Sequence, residues 1–137
     1  MTKIESKSVT INKNAQWVFD YLTDLNHFEE LLPQEKISGW EASTHSCSFK
    51  IQGSAHIGLE LDTHKTEAPH FILIKSSPKT PFPFTLAITL NQQGEQTTVS
   101  QLCEAEINAF LKMMVEKPLK NLFDYIADRL IAVSQEN

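Results

Sequence analysis

Two periods of apolar residues run along this chain. Near the N-terminus Val9 and Ile11 stand between Ser8, Thr10 and Asn12, a β-branched alternation that predicts a strand over residues 3–11. Asn12-Lys13-Asn14 breaks it. Asn14 is a good N-cap for a short helix over Ala15–Leu22, where Ala15, Val18, Phe19 and Leu22 fall at helical spacing. Leu25, Phe28, Leu31 and Leu32 continue that spacing as far as Pro33, with Asp24 or Asn26 as a second cap, so a second short helix follows.

From residue 35 to 107 the helical period gives way to alternation punctuated by turn residues. Strands are predicted over 36–42, 45–52, 55–66, 70–77, 83–91 and 96–107. Glu67-Ala68-Pro69, Pro78-Lys79-Thr80-Pro81 and Asn91-Gln92-Gln93-Gly94 separate three of the pairs, and such short links imply antiparallel hairpins. Ile57, Leu59 and Leu61 oppose His56, Gly58, Glu60, Asp62 and His64. Phe84, Leu86, Ile88 and Leu90 oppose Thr85, Ala87 and Thr89. Each strand therefore has one apolar face that must be covered.

The cover is a long helix from Asn108 to Ser134. Leu111, Met114, Val115, Leu119, Leu122, Phe123, Ile126, Leu130 and Val133 form its apolar stripe, opposite Lys112, Glu116, Lys120, Asp124 and Asp128. Pro118 inside it predicts a kink or a break, because proline lacks the amide donor and clashes with the carbonyl of Met114. The reading is an α+β fold: a curved antiparallel sheet of about seven strands wrapped around a long C-terminal helix, with two short helices after the first strand. Residues 1–137 form a single domain, with no repeat or linker.

Composition narrows the function classes. Apolar residues at 41% and charged residues at 21% are ordinary globular values. The 12 basic against 17 acidic residues leave a net charge of −5, which argues against nucleic acid and anionic membrane as partners. Two cysteines, Cys47 and Cys103, build neither a disulfide framework nor a four-thiolate metal site. No segment has the length and apolarity of a secretory signal or a membrane span, so a cytoplasmic, reducing setting and no integral membrane association are expected.

The stretch Ile11-Asn12-Lys13-Asn14-Ala15-Gln16-Trp17-Val18-Phe19-Asp20-Tyr21-Leu22-Thr23-Asp24 resembles the first strand, break and first helix of the START-like (SRPBCC) superfamily. That group includes the birch-pollen allergen, lipid-transfer START domains and polyketide cyclases. The likeness continues through Phe28-Glu29-Glu30-Leu31-Leu32-Pro33. Phe110 to Leu119, with its proline, is similar to the start of the family's gripping helix. The resemblance covers the whole chain and implies a helix-grip fold with an apolar small-molecule cavity between sheet and helix.

The residues carry little reactive chemistry. His56, Glu60, Asp62 and His64 share one predicted strand face, but alternate strand residues lie ~6.6 Å apart, too far for one ion that needs each ligand at ~2.1 Å. A solvated outer face is the reading, and neither a metal nor another cofactor is expected. Cys47 alternates with Phe49 and Ile51, and Cys103 with Val99 and Ala105, as small core residues do; no nucleophile motif joins either to His27, His45, His56, His64 or His70, and no catalytic residue is assigned. Gly53 and Gly58 lie near a turn without forming a phosphate loop. Trp17, Tyr21 and Phe28 sit at helical spacing and read as core. Met113 and Met114 beside Pro118 read either as an adaptable cavity wall or as core filling. Gln101 shares the parity of Val99 and Cys103, which points an amide inward to orient a ligand unless it marks a bulge or a sheet edge.

The inward parity defines a candidate ligand-binding set: Phe49, Ile51, Leu59, Leu61, Leu73, Phe84, Leu86, Ile88, Gln101 and Cys103 on strands, and Met114, Leu122 and Ile126 on the helix. Three functions stay open. The first is binding of a hydrophobic small molecule (a lipid, isoprenoid or aromatic metabolite) between sheet and helix. The second is a cyclase- or dehydratase-type enzyme that orients a polyketide-like substrate. The third is a protein-interaction domain with a filled core.

Overall fold

The structure is a computed structural model that describes residues 1–52 and 55–136; Gly53 lies outside the described residues. Eight strands form one antiparallel sheet. They are β1 (Thr2–Glu5), β2 (Val9–Ile11), β3 (Ile37–Ser43), β4 (Ser46–Ile51), β5 (His56–Leu61), β6 (Phe71–Ser76), β7 (Phe84–Gln93) and β8 (Gln96–Ala105). The order across the sheet is β1-β8-β7-β6-β5-β4-β3, with β2 also on β8. The helices are α1 (Ala15–Leu22), two 3-10 helices at Leu25–Leu31 and Gln34–Lys36, and α2 (Ala109–Gln135). No described helix is long and apolar enough to cross a membrane.

The predicted first strand is two strands. Glu5 pairs with Leu102 and Val9 with Val99, so the three residues between them face only two on β8. Ser6-Lys7-Ser8 accommodates the surplus as a bulge, with the Ser6 amide donating to the Gln101 carbonyl at 3.2 Å. This raises the strand count from seven to eight. The second short helix is 3-10 rather than α, capped by the Asp24 carboxylate, which accepts from the Asn26 amide at 3.1 Å. α1 is capped by Asn14 and α2 by Asn108, each accepting an amide three residues on at 2.8 Å.

Two glycines shape the sheet through positive φ. Gly94 (φ 65°) takes the first central position of the two-residue β7–β8 hairpin closed by Gln93 and Gln96. Gly39 (φ 64°) and Trp40 together oppose Phe49, a bulge that bends the β3 edge and stacks the Trp40 ring on Phe49 at 6.1 Å.

Three expectations are corrected. β5 ends at Leu61, so Asp62 and His64 belong to a turn and share no strand face with His56 and Glu60. The Asp62 carboxylate accepts the His64 and Lys65 amides at 3.1 and 3.0 Å; these bonds, the Lys65 one first, hold its pKa below the usual carboxylate range. Leu73 faces away from the core: its neighbours Ile72 and Ile74 pair with inward Ile88 and Leu86, whereas Leu73 pairs with Ala87 on the other face. Of the kink or break expected at Pro118, the break does not occur: α2 runs through it. The carbonyl left without its amide partner is that of Met114, on a side of the helix open to water.

The core is one contiguous cluster. It joins Ile4, Val9 and Ile11 of β1 and β2 to Val18 and Leu22 of α1, Leu25, Phe28 and Leu31 of the first 3-10 helix, the inward strand residues, and Leu119, Phe123, Ile126 and Leu130 of α2. Trp17 and Tyr21 lie half-buried against its edge rather than inside it. α2 packs on β1, β2 and the first 3-10 helix, and that 3-10 helix in turn packs on β3 and β4.

On the convex face the segment Ser77–Pro83 folds back over β5. The Gly58 amide donates to Thr80 Oγ1 at 2.8 Å, and the same hydroxyl donates to the Gly58 carbonyl at 3.1 Å. A Cβ on Gly58 would collide with Ser77 Oγ and press the Lys79 Cβ at 3.2 Å. Gly58→Ala is therefore expected to destabilise the protein by ~1 to 3 kcal/mol, measured by urea unfolding; an unchanged midpoint would show that the Ser77–Thr80 clasp yields freely.

Candidate functional site

α2 touches the β1–β2 half of the sheet and leaves a seam on its other side. There a cleft of about 330 Å³ is lined by Pro33, Glu35 and Lys36 near the second 3-10 helix, by Ile51 and Gln52 at the end of β4, and by Pro118, Asn121, Leu122 and Tyr125 of α2. Its floor is apolar, formed by Ile51 and Leu122. Glu35, Lys36, Gln52 and Asn121 give the rim polar groups. It shares Glu35 and Tyr125 with a separate hollow lined by Glu29, Glu30, Leu32, Gln34 and Arg129, where Arg129 Nε donates to the Glu30 carbonyl at 3.1 Å. Tyr21 reaches Glu30 from the far side, its hydroxyl donating to Oε1 at 3.0 Å; burial and the Glu30 carboxylate raise its pKa.

Of the thirteen residues read as ligand-lining from sequence, Ile51 and Leu122 meet in this cleft. Phe49, Leu59, Phe84, Leu86, Ile88, Cys103 and Ile126 point inward and pack together in the core. Phe49, Leu86 and Cys103 have no accessible surface at all, so no water-sized space adjoins them. Leu61 lies at the other end of β5, beside a separate hollow with Phe19 and His45. Leu73, as above, lies on the convex face. Met114 is 57% exposed and Met113 85%, so neither forms a wall of the interior. Met114 precedes Val115, the last core residue towards the helix start, and a step of one residue turns the side chain by ~100°.

Pro33, Tyr125 and Asn121 of the cleft were not singled out from sequence. The signal was present: Phe110, Met114, Pro118, Asn121 and Tyr125 recur at four, four, three and four residues, a second stripe beside the core stripe.

Gln101 is the polar exception inside. It is 5% exposed; its Nε2 donates to the Phe123 carbonyl of α2 at 3.1 Å and to Ser6 Oγ of the bulge at 3.3 Å. Its Oε1 is buried and accepts no hydrogen bond among the described residues. The bulge and the inward amide thus occur together. The other buried polar residues are Ser48, Thr80, Thr97 and Ser134, and both thiols are buried, with burial pushing Cys47 and Cys103 up to about 12. Neither is a thiolate at neutral pH. Among the described residues no group of three His, Cys, Asp or Glu side chains is placed to hold a metal ion.

The whole architecture is similar to that of solved structures. A START superfamily protein from Mycobacterium smegmatis superposes with a TM-score of 0.71 at 11% identity, covering 98% of this chain and 97% of that one. The KanY protein gives 0.74 at 16%, covering 98% and 99%, and a Chromobacterium violaceum protein gives 0.74 at 12%, covering 98% of each. No family model and no curated protein matches the sequence. The fold is the START-like helix-grip fold.

Two measurements test this site's chemistry. An unpaired buried amide oxygen costs ~1 to 3 kcal/mol, about what the two Nε2 bonds return. Gln101→Met is therefore expected to change stability by less than ~1 kcal/mol, whereas Leu86→Ala should cost ~2 to 5 kcal/mol; a loss at Gln101 as large as at Leu86 would mean that its oxygen is satisfied in solution. Cys47 and Cys103 should react with a thiol-specific disulfide reagent at pH 8 only as fast as the protein opens. Prompt labelling of either thiol in the native protein would contradict their burial.

Proposed function

We propose that this protein binds a hydrophobic small molecule at the seam between α2 and the sheet, entering beside Pro118. The observation that carries this reading is the cleft itself: an apolar floor of Ile51 and Leu122, open to solvent, within a polar rim. Its volume of about 330 Å³ is at the lower end of small-molecule sites, ~300 to 1,000 Å³. Each 100 Å² of apolar ligand surface buried there contributes ~2.5 kcal/mol, so affinity comes from burial and orientation from the rim. A lipid tail, an isoprenoid or an aromatic metabolite suits the floor, and the adjoining hollow with Arg129 suits a polar end. The inward residues Phe49, Leu59, Leu86 and Ile126 pack the core behind this floor, and a ligand longer than the cleft would have to displace them to reach Gln101 Oε1, an acceptor for a hydroxyl or amide.

A second reading is favoured by the packing of the interior. Phe49, Leu86 and Cys103, without accessible surface, fit a protein-interaction domain that needs no ligand.

The two readings part on titration with the neutral fluorophore N-phenyl-1-naphthylamine, together with native mass spectrometry of protein from its own host. Saturable fluorescence uptake is expected, with a loss of tenfold or more in Ile51→Trp, which fills the cleft from a half-buried position without entering the packed core. Absence of uptake and of any bound small molecule would leave the filled-core reading standing.

A further inference from the structure

We propose that the convex face carries a second binding site, for a small zwitterion of the α-amino acid type, beneath the Ser77–Thr80 clasp. A hollow of about 420 Å³ opens there between the clasp and the outer surface of β3–β5, within the ~300 to 1,000 Å³ of small-molecule sites. The register places its walls. Ser48 pairs with Gly58 and Ser46 with Glu60 across β4–β5, and Glu41 pairs with Ser48 across β3–β4. Paired residues share a face, and Gly58 faces the clasp, so these side chains stand on the side away from α2. Short residues, Ser46, Ser48 and Gly58, hold the middle of this surface, while the longer Glu41, Glu60 and Lys79 stand around it. That contrast in length leaves the space.

The polar groups here are incompletely used. Ser48 is 4% exposed, and its one hydrogen-bond partner among the described residues is Lys79 Nζ, which donates to Oγ at 3.4 Å. The Ser48 hydroxyl hydrogen is thus left without an acceptor, which a buried group obtains from outside the chain. The Lys79 ammonium lies 4.0 Å from the Glu41 carboxylate, too far for a hydrogen bond. Ser77 Oγ accepts the Lys79 amide at 3.3 Å and so ties the base of that side chain to the clasp. Around the hollow two carboxylates, Glu41 and Glu60, balance two ammonium groups, Lys79 and the Lys75 that pairs with Glu60 from β6. This balance selects the ligand. A simple anion would meet the carboxylates, and a simple cation the lysines. A zwitterion fits head to tail: its carboxylate accepts from Lys79 Nζ and the Ser48 hydroxyl, and its ammonium donates to Glu41 or Glu60. In an α-amino acid the two charges sit on one carbon, a span that matches the 4.0 Å gap between Lys79 and Glu41. The site lies across the sheet from the seam at Pro118 and stands without the reading given there.

The test is isothermal titration and saturation-transfer NMR of the full chain with the common L-amino acids, each added singly up to ~10 mM, and with the carboxamide and N-acetyl forms of any that binds. Saturable binding of one or more is expected, weakened roughly tenfold or more when either charge is blocked. Lys79→Met should lower affinity by a similar factor and abolish the preference for the free acid over its carboxamide. Glu41→Gln combined with Glu60→Gln should abolish the preference for the free amine over its N-acetyl form. Both variants keep the side chains' length, and an unchanged melting curve separates a lost site from a lost fold. Naphthylamine uptake, which reads the seam, should be the same in the variants as in wild type. Absence of binding by every amino acid, or equal binding of blocked and free forms, would overturn the proposal. So would binding of inorganic phosphate or of glucose in their place, which would make the hollow an anion or a hydroxyl site.

Discussion

A single surplus residue in the first strand fixes how the gripping helix sits on its sheet. If residues 2–11 paired evenly with β8, every amide on the inner edge would be spent in the ladder. The bulge at Ser6-Lys7-Ser8 releases the Lys7 amide, which donates to Asp124 of α2 at 2.8 Å, and brings Lys7 Nζ within 2.7 Å of Asp128. Lys120 answers from the helix by donating to the Glu5 carbonyl at 2.8 Å, and Gln101 bridges beneath to the Phe123 carbonyl. Exposed pairs of this kind are worth little individually. Together they set the rotation and register of α2 that burial alone, being non-directional, leaves loose. With the helix tied to the β1–β2 edge, its other flank faces the end of β4 across the cleft by Pro118. The cleft is a consequence of that asymmetric tether.

Which features were legible in the sequence follows from where alternation is unambiguous. β7 and β8 alternate cleanly over Phe84, Leu86, Ile88 and Leu90 and over Val99, Gln101, Cys103 and Ala105, and both place those residues inward. β6 reads Phe-Ile-Leu-Ile, apolar on both parities. Only pairing with β7 decides that Ile72 and Ile74 go in, which is why Leu73 was assigned to the wrong face. The bulge was invisible for the same reason: Ser6-Lys7-Ser8 is polar throughout, so an extra residue there disturbs no pattern. At Met114 the helix carries apolar residues on two adjacent stripes, and composition alone does not say which one the sheet covers. The cleft was half legible, through Ile51, Leu122 and Pro118, because its remaining wall comes from a 3-10 turn whose position depends on tertiary packing.

The solid interior and the open seam share a thermodynamic origin. A void of ~300 Å³ left empty inside the sheet would cost ~7 kcal/mol at ~24 cal/mol per Å³, as much as the whole stability of many domains of this size. A chain that folds with nothing bound must therefore pack Phe49, Leu86 and Ile126 against one another. The space that remains lies at the surface, where water fills it at little cost. Pro118 sits where that boundary falls. On its C-terminal side α2 is held by Leu119, Leu122, Phe123 and Ile126, and on its N-terminal side the one buried residue among the described helical residues is Val115. The turns before Pro118 are thus the least anchored part of the helix, and the proline has already removed one of the hydrogen bonds joining them to the rest. If any part of α2 lifts from the sheet to widen the cleft, the balance of contacts requires it to be this one, because moving the C-terminal half would break both the core and the tether at Asp124 and Asp128.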